Sequence, residues 1–503
     1  MSGRFSPGGL SLLLVAMAAL GGCALGPDFH HPDAPPAASY DTDPAQPATV
    51  ATSGPGGAAQ QFVAGQDIPA QWWTLFHCQA LDQLIQQALV NSPTVQAAQA
   101  ALRQSRQTMV GEEGSVLYPT VSAQAGVNRE RISGIQLGQP GGGEDLSLYN
   151  ASVNVSYNIS AFGAGARREL ESLQAQIDYQ SFQLRAADLA LSANLTTAAI
   201  QEASLKAQLD ATQSIITDLQ KQLDVAKNQL DIGAISRSAL LAQQTQLAQT
   251  IATLPPLQQA LDKARHQLTL LAGKLPGDPS VPEFSLSDFT LPEQLPVSLP
   301  SQLVRQRPDI LAADAQLHAA SANVGVATAA QYPQISLSAS YGGEALSAGK
   351  VLNAGNTVWS LGADVLQPIF NGGALRAQKR AAIAAYDQAN AQYRETVLLA
   401  FANVADSLRA LDTDARSLQA QTDAAGSSKD ALDISRQQLQ SGSISYLTLL
   451  DAERQYQQTS VALAQAQAAR YADTAALFQA LGGGWWHRNE LMQADSIPSK
   501  DEK

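Results

Sequence analysis

Apolar residues recur at three- and four-residue spacing through Leu81, Leu84, Ile85, Ala88 and Leu89, which predicts an amphipathic helix. Asn91-Ser92-Pro93 restarts a helix with Pro93 in its first turn, running to about Glu113. The period then changes to two. Val121, Ala123, Ala125 and Val127 alternate with Ser122, Gln124, Gly126 and Asn128, and a second run sets Tyr149, Ala151, Val153, Val155, Tyr157 and Ile159 against Asn150, Ser152, Asn154, Ser156 and Asn158. After Phe162-Gly163-Ala164-Gly165 a helix without proline is predicted from about Ala166 to Asp231. It turns at Gly233 and returns from Ser238 to about Leu254, where Pro255-Pro256 interrupts it.

The whole pattern occurs twice. Asn91-Ser92-Pro93-Thr94-Val95 through Leu102 lines up with Gln306-Arg307-Pro308-Asp309-Ile310 through Leu317, about 215 residues on. Tyr118-Pro119 answers Tyr332-Pro333, Phe162 answers Phe370, and Leu230-Asp231-Ile232-Gly233 answers Gln440-Ser441-Gly442. The second strand pair sets Ile335, Leu337, Ala339 and Tyr341 against Ser336, Ser338 and Ser340, then Trp359, Leu361, Ala363 and Val365 against Ser360, Gly362 and Asp364. Phe370-Asn371-Gly372-Gly373 starts the second long helix.

A dyad run of about ten residues suits a tilted strand with lipid on one side and water on the other. A soluble sandwich gives one strand pair the same alternation. Four strands cannot close a barrel, however, and an open edge in lipid leaves backbone groups unpaired at several kcal/mol each. The chain is therefore expected to oligomerise. Two copies give eight strands, whose interior fills with side chains; the small, hydrated inward residues fit three copies and a twelve-stranded open pore better. The connections Ser133 to Asp145 and Gly342 to Asn356 are expected on the cell exterior. The first long helix is on the order of 100 Å at 1.5 Å per residue. A helix of that length survives by packing along its neighbours, and its many alanines allow close approach. Six hairpins from three chains would form a hollow cylinder, with a solid coiled-coil stalk as the alternative.

Composition narrows the setting. Arg4, the apolar run Leu10 to Leu20 and the small residues before Cys23 read as a secretory signal too short to span a bilayer. Leu20-Gly21-Gly22-Cys23 resembles a bacterial lipobox, which makes Cys23 the lipid-bearing first residue of the mature chain, and Ala24 after it suggests outer-membrane sorting. A diacylated cysteine supplies the two chains that stable anchoring needs. Residues 24–66, rich in Pro, Ala, Gly and polar side chains, read as a lead segment from the lipid, flexible or ordered by contact. Loss of residues 1–22 leaves one cysteine besides Cys23, so no intrachain disulfide framework is expected, and Cys78 beside Phe76 and Leu81 reads as a small buried hydrophobe. The net charge of −13, or −14 without Arg4, argues against a nucleic-acid partner.

No catalytic or cofactor chemistry is expected beyond the covalent lipid on Cys23. The six histidines, His30-His31 included, form no metal-spaced cluster. Gly343 to Lys350 has the wrong glycine spacing for a phosphate loop, with Val351 where Ser or Thr should stand, and there is no Gly-x-Ser-x-Gly elbow.

Several motifs in order carry a family likeness: the lipobox, Trp72-Trp73-Thr74-Leu75-Phe76, Leu299-Pro300-Ser301-Gln302-Leu303-Val304-Arg305-Gln306-Arg307-Pro308-Asp309-Ile310, Tyr332-Pro333-Gln334-Ile335-Ser336-Leu337, and Ala480-Leu481-Gly482-Gly483-Gly484-Trp485. Over nearly all of the mature chain they resemble outer-membrane factor lipoproteins of the NodT branch, the TolC- and OprM-like exit ducts of efflux pumps. The resemblance implies an α+β membrane protein. It would be a homotrimer with a twelve-stranded outer-membrane β-barrel, four strands per chain, continued by a periplasmic α-helical barrel. An equatorial region would hold Trp72, Trp73, Trp485 and Trp486. The divisions expected are a signal peptide at 1–22, a lipidated lead at 23–70, structural repeats at 71–290 and 291–484, and a tail at 485–503.

Such a duct would work passively with a periplasmic adaptor and an inner-membrane pump of the RND or a similar type, carrying small molecules such as drugs. A type I protein-secretion duct or a non-conducting structural lipoprotein are the alternatives. The resemblance gives Gly233, Ser236, Arg237, Gly442, Ser445 and Tyr446 at the hairpin turns as adaptor-contacting tips. It gives Leu447, Asp451 and Arg454, spaced along one side of the returning helix, as a periplasmic gate. Thr448 stands where some members carry a second acidic ring.

Overall fold

A computed structural model describes residues 25–35, 39, 40, 48–133, 135, 138 and 141–487. Cys23 and the signal segment lie outside the described residues. After β1 (Gln61–Ala64) and a 3₁₀ turn at Trp72–Phe76 come α1 (Gln79–Asn91), α2 (Pro93–Leu117), β2 (Thr120–Ser133) and β3 (Gly143–Ser160). The first long hairpin is α3 (Ala164–Asp231), α4 (Arg237–Ile251) and α5 (Leu254–Leu271). The second repeat follows as β4 (Gln294–Val297), α6 (Pro300–Gln306), α7 (Pro308–Ala329), β5 (Gln334–Ala345), β6 (Thr357–Leu366), α8 (Ala374–Gln440) and α9 (Tyr446–Ala480). Two compact units result, each drawing on both repeats: one from the chain up to Pro32 with Ala101–Ser181 and Ala312–Arg394, the other from Asp33–Ala100, Phe182–Leu311 and Glu395 onward.

The first unit holds an antiparallel sheet in the order β2-β3-β5-β6. Its register carries the period-two pattern across all four strands. Ala123 faces Val153, Val153 faces Tyr341 and Tyr341 faces Trp359; one row over, Val121, Val155, Ala339 and Leu361 align. Directly opposed residues share a face, so one face is apolar throughout. The other carries Ser122, Asn154, Ser340 and Ser360 in a row, with the last two hydroxyls 2.9 Å apart. The apolar face is not covered: Val153 is 46%, Tyr341 66%, Trp359 70% and Leu361 79% exposed. Within one chain β2 and β6 each have a free edge. Among the described residues no helix is long and apolar enough to cross a membrane.

The strands extend further than hydrophobic alternation predicts. β2 continues through Arg129-Glu130-Arg131 and pairs with Glu144 and Asp145 at the start of β3, because the backbone ladder persists where side chains have turned polar. Arg131 and Asp145 face each other there at 3.8 Å. Two other expectations shift. α2 runs on to Leu117, and the interruption comes at Ile251, before the proline pair; Pro255 and Pro256 open α5, their missing N–H groups being among those a helix start leaves unbonded anyway.

The same unit shows how the lead segment is held. Asp28 meets Arg168 at 2.8 Å, Phe29 stacks on His318 with ring centroids 4.3 Å apart, and His31 reaches Asp314 at 2.7 Å. Over residues 25–32 contact rather than regular structure orders it, whereas Gln61–Ala64 near its far end form β1.

The second unit buries the aromatic motif. Trp72, Trp73, Phe76 and Phe478 are essentially inaccessible, with Trp72 5.5 Å from Phe478 and the Trp73 indole N–H donating to Asp82 at 2.8 Å. Beside them β1 of the lead segment pairs in parallel with β4 of the second repeat, a contact for which four-residue strands leave no readable period. Arg470, fully buried, donates to the carbonyls of Gly56, Ala58 and Leu411 and to the Thr49 hydroxyl, tying the segment before β1 onto α8 and α9. The Arg307 guanidinium donates to Asp309, to the Ala400 carbonyl and to the Ala480 carbonyl, so the Arg-Pro-Asp motif fastens helix ends. Emptying the aromatic cluster should be costly. Trp72→Ala is expected to destabilise the chain by about 3–5 kcal/mol, read as a lowered denaturant midpoint against Trp486→Ala, whose ring is partly exposed.

Candidate functional site at the hairpin ends

The two long hairpins turn in the same way. α3 ends on Gly233 at φ +74° and α8 ends on Gly442 at φ +72°. In each, the residue after the glycine donates its N–H back across the turn, Ala234 to the Gln229 carbonyl and Ser443 to the Gln438 carbonyl. That left-handed closure favours glycine. Serine then caps the returning helix: Ser236 Oγ accepts from the Ala239 N–H at 3.2 Å, and Ser445 Oγ from the Thr448 N–H at 3.4 Å. Thr448, free of any acidic role, is absorbed into that cap.

Of the predicted tip residues, Gly233, Ser236, Arg237, Gly442 and Ser445 are exposed. Tyr446 is not a free tip. Its hydroxyl donates to Gln229 Oε1 at 2.7 Å, so it ties the start of α9 to the end of α3. A tyrosine just past a turn looks in sequence like a surface contact, and only the pairing of the two hairpins shows it to be a brace.

The structure brings the three gate candidates together. Leu447, Asp451 and Arg454 lie on one side of the first turns of α9, and an Arg454 N–H donates to Asp451 Oδ1 at 2.5 Å. Leu447 is 64% exposed and the Asp451 and Arg454 side chains 71% and 54%. Within one chain nothing covers them.

The opposite side of the same turns carries a group that sequence reading did not single out. Glu453 is only 4% exposed, and neither of its carboxyl oxygens has a hydrogen-bond partner. It shares a face with buried Leu449 and Leu450. A charged residue at that spacing from two seam leucines was the available signal. Around it lie Gln222 and Asp218 of α3 and Arg436 of α8, with Gln243 of α4 bonded to Gln222.

The profile of the family described as "Outer membrane efflux protein" matches residues 84–274 and again 299–483, one match per repeat. The pyoverdine export outer membrane protein OpmQ of Pseudomonas aeruginosa is 31% identical over 422 residues, covering 82% of this chain and 87% of its own. The toluene efflux pump outer membrane protein TtgC of Pseudomonas putida is 30% identical over 482 residues, covering 95% and 96%. Among solved structures, the outer-membrane channel OprN superposes with a TM-score of 0.81 at 27% identity, over 92% of this chain and all of that one. The MtrE outer membrane channel of Neisseria gonorrhoeae, solved in its open state, gives 0.76 at 26% identity over 92% and 99%. With both repeats matched and relatives aligned almost end to end, the chain belongs to the outer membrane efflux protein family.

Proposed function

We propose that this protein is the outer-membrane exit duct of an efflux pump, a passive conduit for small molecules and not an enzyme. One observation carries the reading: four strands in register place an uncovered apolar face back to back with a hydroxyl- and amide-lined face. Water on both sides would leave that apolar face exposed for no return, whereas lipid outside and water inside satisfies both. Closure of the sheet requires β6 of one copy to pair with β2 of the next, and three copies give twelve strands around an open lumen. The long hairpins would continue that lumen through the periplasm, and Cys23 would carry the lipid. Relatives named for toluene efflux and pyoverdine export favour small-molecule cargo.

Two measurements test this. Purified trimer in a planar bilayer should conduct ions once the hairpin ends are opened; a particle closed to ions even in gate variants would support a solid stalk instead. Docking is tested at the exposed turn. Gly233 needs φ +74°, and proline is held near −65° and also forfeits the N–H that bonds Leu230. Gly233→Pro, or the charge reversal Arg237→Glu, is expected to abolish drug efflux in cells while trimer level and single-channel conductance stay normal. Undiminished resistance in both would remove the adaptor contact from these turns.

A further inference from the structure

The ends of the two hairpins are joined by a small polar cluster in which the bonding does not balance. On the α3 side Asp218 accepts from Arg436 of α8 at 3.1 Å, an ionic link between the first hairpin and the second. Gln222 Oε1 accepts from the Gln243 amide at 3.2 Å. Glu453 of α9 enters this cluster beside Gln222, Arg436 and Asp218, and four of the cluster's polar atoms are buried without a partner: both Glu453 carboxyl oxygens, the Gln243 side-chain oxygen and the Arg436 Nε–H. The other charged or titratable groups near are Asp433, 3.7 Å from Arg436, Lys221, 3.7 Å from Asp218, and the Tyr446 hydroxyl.

We propose that Glu453 is a proton-operated latch between the hairpins: neutral, it packs between them and holds the end closed; ionised, it draws Arg436 away from Asp218 and loosens the end beside Asp451. The proposal rests on the duct reading. As a carboxylic acid, Glu453 brings one O–H donor to a pocket that offers the bare Gln243 oxygen, and the Arg436–Asp218 bridge stands undisturbed. As a carboxylate it has only acceptors, and besides the Gln222 amide the donor left idle is Arg436 Nε, whose guanidinium is already engaged on Asp218. Two carboxylates, the buried Glu453 and the half-exposed Asp218, then compete for one cation.

Burial is the main force on this group and pushes its pKa up to about 7. The Gln222 amide and the Arg436 charge pull it down, while Asp218 pushes the same way as burial. The sign follows from linkage. A carboxyl whose pKa is raised in the closed packing costs that packing nothing while both states are protonated. The closed state then loses ground as pH rises from the ordinary carboxyl value of 4.5 through about 7. The duct should therefore open more readily in a neutral or alkaline medium than in an acidic one.

The test uses full-length lipidated trimer in planar bilayers at about pH 5 and about pH 8. Spontaneous open probability in the parent is expected to rise by about tenfold or more over that span. Glu453→Gln, nearly isosteric and permanently neutral, should stay closed with the slope abolished. Asp451→Asn is the control for the gate carboxylate and should keep the Glu453 slope. A pH slope unchanged in Glu453→Gln, or no slope in the parent, overturns the latch. A readout independent of conduction separates this from the duct reading. Thr250 of α4 is 1% exposed and lies 3.5 Å from Gln457 of α9, across the joint between hairpins. In a Cys78→Ser background, Thr250→Cys should react with a membrane-impermeant thiol reagent at least several-fold faster at pH 8 than at pH 5, after correction for thiolate fraction, and Glu453→Gln should abolish that difference. Equal corrected rates would refute the latch even if the particle never conducts.

Discussion

Val153→Arg should sharply reduce the yield of folded trimer, while Ser152→Arg, one residue earlier, should assemble normally and alter conductance. The two positions sit on the same central strand and differ only in face. Val153 is flanked by Ala123 and Tyr341 in the apolar row; Ser152 pairs with Gln124 and Gly342 in the polar one. An arginine on the lipid side near the midplane of a barrel costs about 2–4 kcal/mol, and a trimer bears that cost in each copy. On the lumen side the same guanidinium stays hydrated and merely narrows the pore and makes it more positive, so anion preference should rise. Tyr149→Arg belongs with Val153→Arg but should be milder, since Tyr149, between Val127 and Ala345, is in the last apolar row before the polar pair Arg129 and Ser147. Heat-resistant trimer on gels gives the assembly readout, and single-channel reversal potentials give the second. Equal assembly defects for the two faces would overturn the inside-outside assignment.

What the sequence revealed, it revealed through periodicity. A strand side chain repeats every second residue whatever lies around it, so Tyr149, Val153 and Trp359 announce one face before any partner strand is known. The hairpin turns were legible for a comparable reason, since Gly233 and Gly442 answer a local backbone demand and Ser236 and Ser445 a local capping one. Interactions distant in sequence left no such trace. β1 meets β4 more than two hundred residues away through four-residue strands. Arg470 reaches Gly56 and Ala58 through carbonyls that any residue could have supplied. The lead segment is fixed by Arg168, His318 and Asp314, none of which the pattern near Asp28 foretells. At the hairpin ends helical spacing put Leu447, Asp451 and Arg454 on one side of α9, while a gate role for them came from the family resemblance alone. Glu453 escaped because a glutamate beside Asp451 and Arg454 reads as one more solvated charge until the neighbouring helices surround it.

Asp451→Ala combined with Leu447→Ala is expected to raise single-channel conductance and to admit vancomycin-sized solutes to cells without the pump. Both side chains point away from the core of their own chain, and in a trimer three copies of each would converge on the axis. Three carboxylates about 6 Å apart would repel by roughly 3 kcal/mol per pair at an effective dielectric of 20. A closed ring therefore needs counter-charge, and each Asp451 has it in Arg454, bonded at 2.5 Å one helical turn on. The pair is exposed, so alone it adds little to stability. Its effect lies in what its removal leaves behind. If these residues form the gate, loss of Asp451 would leave three guanidinium groups facing one another unpaired, and loss of Leu447 would remove the apolar side chains that would exclude water from the constriction. Asp451→Ala alone should open the end partly, with the effect weakening in high salt as screening shortens the reach of the exposed arginines. Leu447→Ala alone should leak mainly small ions. Arg454→Glu should open it further than either, since six carboxylates would then share the ring. Unchanged conductance in the Asp451→Ala, Leu447→Ala double variant at normal trimer level would sink the gate assignment and move the constriction elsewhere along the hairpins.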